Sequence, residues 1–188
     1  KTVNCLVLRI GMDKCITDVF FPFLHRIGML WMTNKVIPAQ EHFVSHIIRK
    51  KIIMAIDGLG TEQTGVPTIL FTPAGEFHEI PLLAINYFFR KNQTPTTYFG
   101  MNVSLGSMME YARNHPVSRF YAHIITHLDH CGMENYILEL CRSFPDKEVI
   151  VSGPALRCTG HLPANLRVLR SREEILQFTS GQGTTPAI

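Results

Sequence analysis

From residue 68 onward, short β-rich apolar runs alternate with helical patterns, and this rhythm constrains the fold more than any other feature of the chain. Residues 68–72 (TILFT), 96–99 (TTYF), 119–125, 148–151 and 166–169 read as strands. Between and after them, 80–90, 107–114, 133–143 and 172–178 carry apolar residues at three- and four-residue spacing. Strands that alternate with helices imply a parallel sheet covered by helices on both faces. Short right-handed crossovers then predict a doubly wound, five-stranded, flavodoxin- or Rossmann-like α/β domain. Ligands of such sheets bind outside the carboxyl ends of the strands. The loops that matter are therefore 73–79, 100–106, 126–131 and 152–157.

The rhythm before residue 61 is different. Leu6 and Ile10, then Val19, Phe20, Phe23, Leu24 and Ile27, recur at helical spacing. Pro22 is placed to kink that stretch. A break follows at Thr33-Asn34-Lys35. Pro38 then suits the first turn of a new helix, with Glu41 near its positive end. Phe43, Ile47, Ile48 and Ile52 give this helix an apolar stripe that ends near Asp57-Gly58. Residues 1–60 are thus expected to be a helical bundle, 61–67 a polar linker with Gly65 and Pro67, 68–180 the α/β domain, and 181–188 a flexible Gly/Thr-rich tail.

Several classes of function are disfavoured. The apolar fraction of 46% supports a real core, yet no apolar run approaches the about 18 residues that span a bilayer. Together with the lack of a secretory leader pattern, this makes a cytoplasmic, membrane-free protein the expectation. The net charge of +3 is too weak to indicate a nucleic-acid surface. Five cysteines with no C-x-x-C pair argue against a disulfide framework and a cysteine zinc site. No strand is followed by G-x-G-x-x-G or by G-x-x-x-x-G-K-[ST], which disfavours nicotinamide and nucleoside-triphosphate chemistry. No nucleophile elbow appears, and nothing demands an enzyme.

Three groups of residues can carry chemistry. Glu76 and His78 follow the first strand, where an imidazole can ligate a metal or act as a base, and a carboxylate can fix its tautomer. An exposed loop histidine is the competing reading. Trp31, followed after nine residues by Glu41 and His42, can line one face of a pocket roofed by helices. A core Trp and a dipole-stabilised Glu explain the same residues. His123, His127, His130 and Cys131 cluster around the third strand, and His42 and His46 are four apart on one helix. Both spacings are metal-compatible, and neither is a strong zinc signature.

Taken together, these residues resemble one family. Glu76-x-His78 resembles the E/D-x-H-x-x-G motif of cobalamin-binding domains. Trp31-x9-Glu41-His42 resembles the bundle motif of the light-sensing, cobalamin-dependent MerR-type transcriptional regulators. Phe20-Phe21-Pro22-Phe23-Leu24-His25-Arg26-Ile27-Gly28 and Tyr98-Phe99-Gly100-Met101-Asn102-Val103 are also similar to that family, and the resemblance covers about residues 1–178. It implies that His78 is the lower axial ligand of cobalt and that the bundle caps the upper corrin face with Trp31, Glu41 and His42. It further implies a nucleotide tail that enters a groove beside the first strand, with room left by Ser104, Thr126, Ser152 and Gly153. The expected cofactor is cobalamin, with the adenosyl form first.

The implied function is the sensor of a transcriptional regulator whose ligand state sets oligomerisation and DNA binding. Its partners would be further copies of itself, as a dimer or tetramer, and DNA through a helix-turn-helix part that precedes Lys1. Three positions depart from the pattern. Pro81 replaces the motif's Gly, Ser152-Gly153 replaces Gly-Gly, and Met32 replaces a histidine of the well-studied photosensors, which argues against a bis-histidine light-adapted state. Two other readings stand beside this one. One is a corrinoid carrier for methyl transfer, the other a cofactor-independent regulator with a degenerate domain.

Overall fold

A computed structural model describes residues 2–60, 64–126, 130–154 and 162–181 of the chain, with the backbone alone for His130 and Cys131. The chain divides into two compact units, Lys1–Gly60 and Thr61–Ile188.

The second unit is built on five parallel strands: β1 (Thr68–Pro73), β2 (Thr96–Val103), β3 (Arg119–His123), β4 (Glu148–Ser152) and β5 (Leu166–Leu169). Their order is β2-β1-β3-β4-β5. Successive side chains on a strand face opposite ways, and the core divides accordingly. Ile69, Phe71, Phe120, Ala122, Val149 and Val151 pack with Met108 of α5 (Leu105–Asn114) and with Ile137 and Leu140 of α6 (His130–Ser143). Leu70, Tyr121 and Ile150 pack on the other face with Leu82, Ile85 and Phe89 of α4 (Glu79–Lys91) and Phe178 of α7 (Arg172–Thr179). Both faces of the sheet are covered, which is why its strands read as continuous apolar runs rather than alternating ones. This is the doubly wound arrangement that the strand–helix rhythm predicts.

The chain leaves β1 toward β2 on one side and later returns to β3 on the other, so the switch point lies between the carboxyl ends of β1 and β3. Two strand boundaries differ from expectation there. β2 runs on to Val103 through Gly100 and Asn102, both at positive φ, with two register shifts against β1. β3 stops at His123, because the amides of Ile125 and Thr126 turn out of the sheet to bond a side chain. Helix α5 begins at Leu105, ahead of the expected start, because the Ser104 hydroxyl caps it by accepting from the Ser107 amide.

The first unit consists of α1 (Thr2–Lys14), a π-helical segment (Cys15–Phe20), α2 (Phe21–Met32) and α3 (Pro38–Asp57). Pro22 does not break the stretch internally. It sits in the first turn of α2, just after the π-helical segment, where its missing amide is tolerated. The internal irregularity is at Gly11, with φ of +80°. Cys15, Ile16 and Phe20 are buried, as are Ile48, Ile52 and Ile56, a row of every fourth residue on α3. Phe43, expected in that row, is 68% exposed. Three residues of the expected linker (61–63) and all of the expected tail except Gly181 lie outside the described residues.

Candidate functional site at the switch point

The centre of the site is a buried carboxylate. Thr72-Pro73-Ala74-Gly75 carries the chain around a turn closed by the Glu76 amide donating to the Pro73 carbonyl at 3.0 Å, with Gly75 at φ +88°. Glu76 is fully buried. Its Oε1 accepts from the His78 amide at 2.9 Å and faces His78 Nδ1 at 2.7 Å. Its Oε2 accepts from the amides of Ile125 and Thr126, each at 2.7 Å, and from the Thr126 hydroxyl at 3.0 Å. Burial by itself would raise the Glu76 pKa. The hydrogen bonds from the His78 ring and from the amides of Thr126, His78 and Ile125 outweigh it and hold the carboxyl well below the usual carboxylate range. Glu76 is therefore a fixed anion that ties the loop after β1 to the loop after β3.

His78 precedes α4, and its side chain is 51% exposed. With Nδ1 on the Glu76 carboxylate, the nitrogen suited to meet a metal is Nε2. Pro81 falls in the first turn of α4, where no intrahelical partner exists for its missing amide, so the helix starts undisturbed. Phe77 and Met101 are 59% and 46% exposed in the adjoining loops.

One contributor was not read from the sequence. Asn102, at φ +59°, donates its amide to the Thr72 hydroxyl at 3.0 Å and to the Glu76 carbonyl at 3.2 Å, while its Oδ1 accepts from the Gly75 amide at 2.9 Å. It braces the turn that presents Glu76. Asn is a residue type that tolerates left-handed backbone, and an Asn close behind the apolar run 96–99 was the available signal.

The residues expected to leave room for a nucleotide tail make the following contacts within the chain. The Thr126 hydroxyl is held by Glu76. Ser104 is a helix cap. Ser152 is fully buried and bonded to Tyr121 and His123. Gly153, at φ +108°, lies so close to β3 that a Cβ would stand 2.1 Å from the Ile124 carbonyl oxygen. It is glycine because two backbones meet there.

Of the histidine cluster around the third strand, only the His123 side chain falls among the described residues. Among the described residues, no group of three or more His, Cys, Asp or Glu side chains is placed to hold an ion. His127 and the side chains of His130 and Cys131 lie outside the described residues. His123 is 8% exposed, and burial pushes its pKa down to about 4 against the pull of the Glu76 charge, with His78 adding to the downward push.

In the first unit, Trp31 ends α2 and is 51% exposed. With Met32, Asn34, Val36, Ile37 and Pro38 it lines an open hollow of about 450 Å³. Glu41 and His42 stand in the first turn of α3 and are not among its lining residues. His42 Nδ1 lies 3.0 Å from Glu41 Oε2, and the Ser45 hydroxyl donates to Glu41 Oε1. Among the described residues, no helix is long and apolar enough to cross a membrane.

Comparison with known proteins adds two findings. Residues 5–55 match the family model described as B12 binding domain. The whole chain is similar in fold to the monomethylamine corrinoid protein of Methanosarcina barkeri, at 12% identity and a TM-score of 0.74, covering 96% of this chain and 89% of that one. It is also similar to the methanol:cobalamin methyltransferase complex of the same organism, at 11% identity and a TM-score of 0.52, covering 97% of this chain and 73% of that one. A search of curated proteins finds no match.

Proposed function

We propose that this chain binds a corrinoid at the switch point, with His78 as the protein's ligand to cobalt, and that it serves as a corrinoid carrier. The observation that carries this reading is the saturated Glu76 carboxylate, which receives His78 Nδ1 and so fixes the imidazole for ligation through Nε2. The donor set fits: a half-exposed imidazole backed by a buried anion is an oriented nitrogen ligand. When bound, a corrinoid supplies a cobalt centre that can accept and release an alkyl group. The chain's own residues do the rest. His78 binds, Glu76 orients His78, Thr126 and Ile125 hold Glu76, and Phe77 and Met101 offer apolar surface beside the ligand. The match of residues 5–55 and the two fold relatives support a corrinoid, and the relatives favour a carrier working with a methyltransferase. Cysteines without a paired framework suit a reducing, cytoplasmic setting.

A second reading, a cobalamin sensor that controls transcription as a homo-oligomer, is favoured by the hollow beside Trp31 and by the paired Glu41 and His42. The test is a visible-light titration of the chain, in the dark, with hydroxo-, methyl- and adenosylcobalamin. The carrier reading expects binding of the hydroxo and methyl forms, a spectrum changed by His78→Ala, and methyl exchange with a methyltransferase. Preference for adenosylcobalamin, with an assembly state altered by light, would favour the sensor. No binding of any form would end both.

A further inference from the structure

β3 and β4 run in register, with His123 opposite Ser152 and Tyr121 opposite Ile150. Tyr121 and His123 are two residues apart and point to one face of the sheet. The Ser152 Oγ, fully buried, accepts from the Tyr121 hydroxyl at 2.8 Å and lies 2.8 Å from His123 Nδ1. A serine hydroxyl has one proton to donate, and a buried donor needs an acceptor. The acceptor within reach is His123 Nδ1. An uncharged imidazole that accepts at Nδ1 carries its proton on Nε2, and burial keeps this ring uncharged at neutral pH. The two ring nitrogens point in nearly opposite directions, so the anchored Nδ1 turns Nε2–H away from Ser152. Among the described residues, nothing accepts from that nitrogen. Two and three residues further on, Ile125 and Thr126 bind Glu76, so this second imidazole stands at the same switch point as His78.

We propose that His123 is a second working imidazole of the site, whose Nε2–H donates a hydrogen bond to an oxygen of the corrinoid held at His78. That oxygen is either an amide carbonyl of the ring periphery or the phosphate of the nucleotide arm. The inference rests on the corrinoid reading above. Tyr121 and Ser152 are positioning residues: they touch no ligand and set the tautomer that makes His123 a donor. An aliphatic or phenyl side chain would fill the same space among apolar neighbours without needing partners. Instead, the fold spends two buried hydroxyls to aim one N–H.

The experiment compares the full chain with His123→Phe, His123→Gln and Ser152→Gly. Corrinoid dissociation constants are measured with hydroxocobalamin and with cobinamide, which lacks the nucleotide arm and its phosphate. Imidazole nitrogen NMR of the wild-type chain is recorded with and without hydroxocobalamin. The expected results are an Nε2–H tautomer in the free protein, an Nε2 resonance that shifts on binding, and a dissociation constant raised about tenfold by His123→Phe, the size of one neutral hydrogen bond. Glutamine, which can place an N–H near the same point, should keep most of the affinity. A loss confined to cobalamin assigns the acceptor to the phosphate, and a loss shared with cobinamide assigns it to a ring amide. Ser152→Gly adds no bulk, so it carries the test if the Phe variant does not fold. It should abolish the tautomer preference and weaken binding about threefold. A wild-type complex left unchanged by the folded His123→Phe or by Ser152→Gly overturns this inference alone, as does an Nδ1–H tautomer. A wild-type chain that takes up no corrinoid overturns the reading of the site as well.

Discussion

The molecule contains two glutamate–histidine pairs, and they differ in everything but residue type. In the α/β unit, Glu76 is fully buried, faces His78 Nδ1 at 2.7 Å and accepts from four further donors. In the helical unit, Glu41 faces His42 Nδ1 at 3.0 Å with the two side chains 32% and 78% exposed, and Ser45 as a further donor. The contrast teaches that a Glu–His pair is held in one geometry only when backbone amides bond its carboxylate. Around Glu76, three amides from two loops fix the carboxylate, and the carboxylate fixes the imidazole. Around Glu41, water competes for each contact, so the geometry is weakly held.

The same substitution in the two pairs should separate them most sharply. Glu76→Ala leaves three amides and a hydroxyl without their acceptor, and should destabilise the chain by about 3 kcal/mol or more in a urea melt, with corrinoid affinity lost by over about a hundredfold. A melt unchanged within error would mean that Glu76 is not the keystone described above.

Acid should act next, through the carboxylate of the inner pair and through His123 beside it. The folded His123 pKa of about 4 lies below its ordinary 6.5, so between those values the unfolded chain takes up a proton that the folded chain refuses. Stability must therefore fall as pH falls through that window, by up to about 3 kcal/mol. Glu76 is also depressed, so it adds stability above its ordinary value of 4.5 that is lost progressively below it. Urea midpoints measured against pH check this, and His123→Phe should flatten the curve between about 6.5 and 4.

A smaller effect sharpens the rule that partners decide what a buried polar group does. The Tyr136 hydroxyl is buried with no hydrogen-bond partner among the described residues, and burial raises its pKa above the usual phenol value. Tyr136→Phe should therefore stabilise the chain by about 1 kcal/mol, and a destabilised variant would reveal a partner for this hydroxyl. The smallest effect is expected at the outer pair, where Glu41→Ala should change stability by about 0.5 kcal/mol or less. A loss comparable with that of Glu76→Ala would erase the distinction between the pairs.

What was legible in the sequence follows from range. Strand and helix identity depends on local composition, so the five-stranded parallel sheet and the helix beginning at Pro38 could be read directly. Glu76 and His78 were legible as candidates because they sit two residues apart after a strand. Their lock was not, since Oε2 is satisfied by amides about fifty residues away. In the sequence His123 stands near His127, His130 and Cys131, a metal-compatible spacing that packed or solvated histidines explain equally. Its partner is Ser152, placed opposite it by strand register, 29 residues away. The extension of β2 was missed because Gly100 and Asn102 look like loop residues, and their positive φ becomes sensible only with Thr72 and Glu76 alongside. In the helical unit, the π-helical segment left no pattern in CITDVF that distinguishes it from an ordinary α-helix.

The central claim is that His78 itself supplies the nitrogen that binds cobalt. The direct test is electron paramagnetic resonance of the chain loaded with cob(II)alamin, prepared once with ordinary histidine and once with histidine labelled with nitrogen-15. If His78 is the ligand, labelling changes each nitrogen splitting from a triplet to a doublet, and the change disappears in His78→Ala. A triplet that persists on labelling would show the cofactor's own base on cobalt, and would contradict the account.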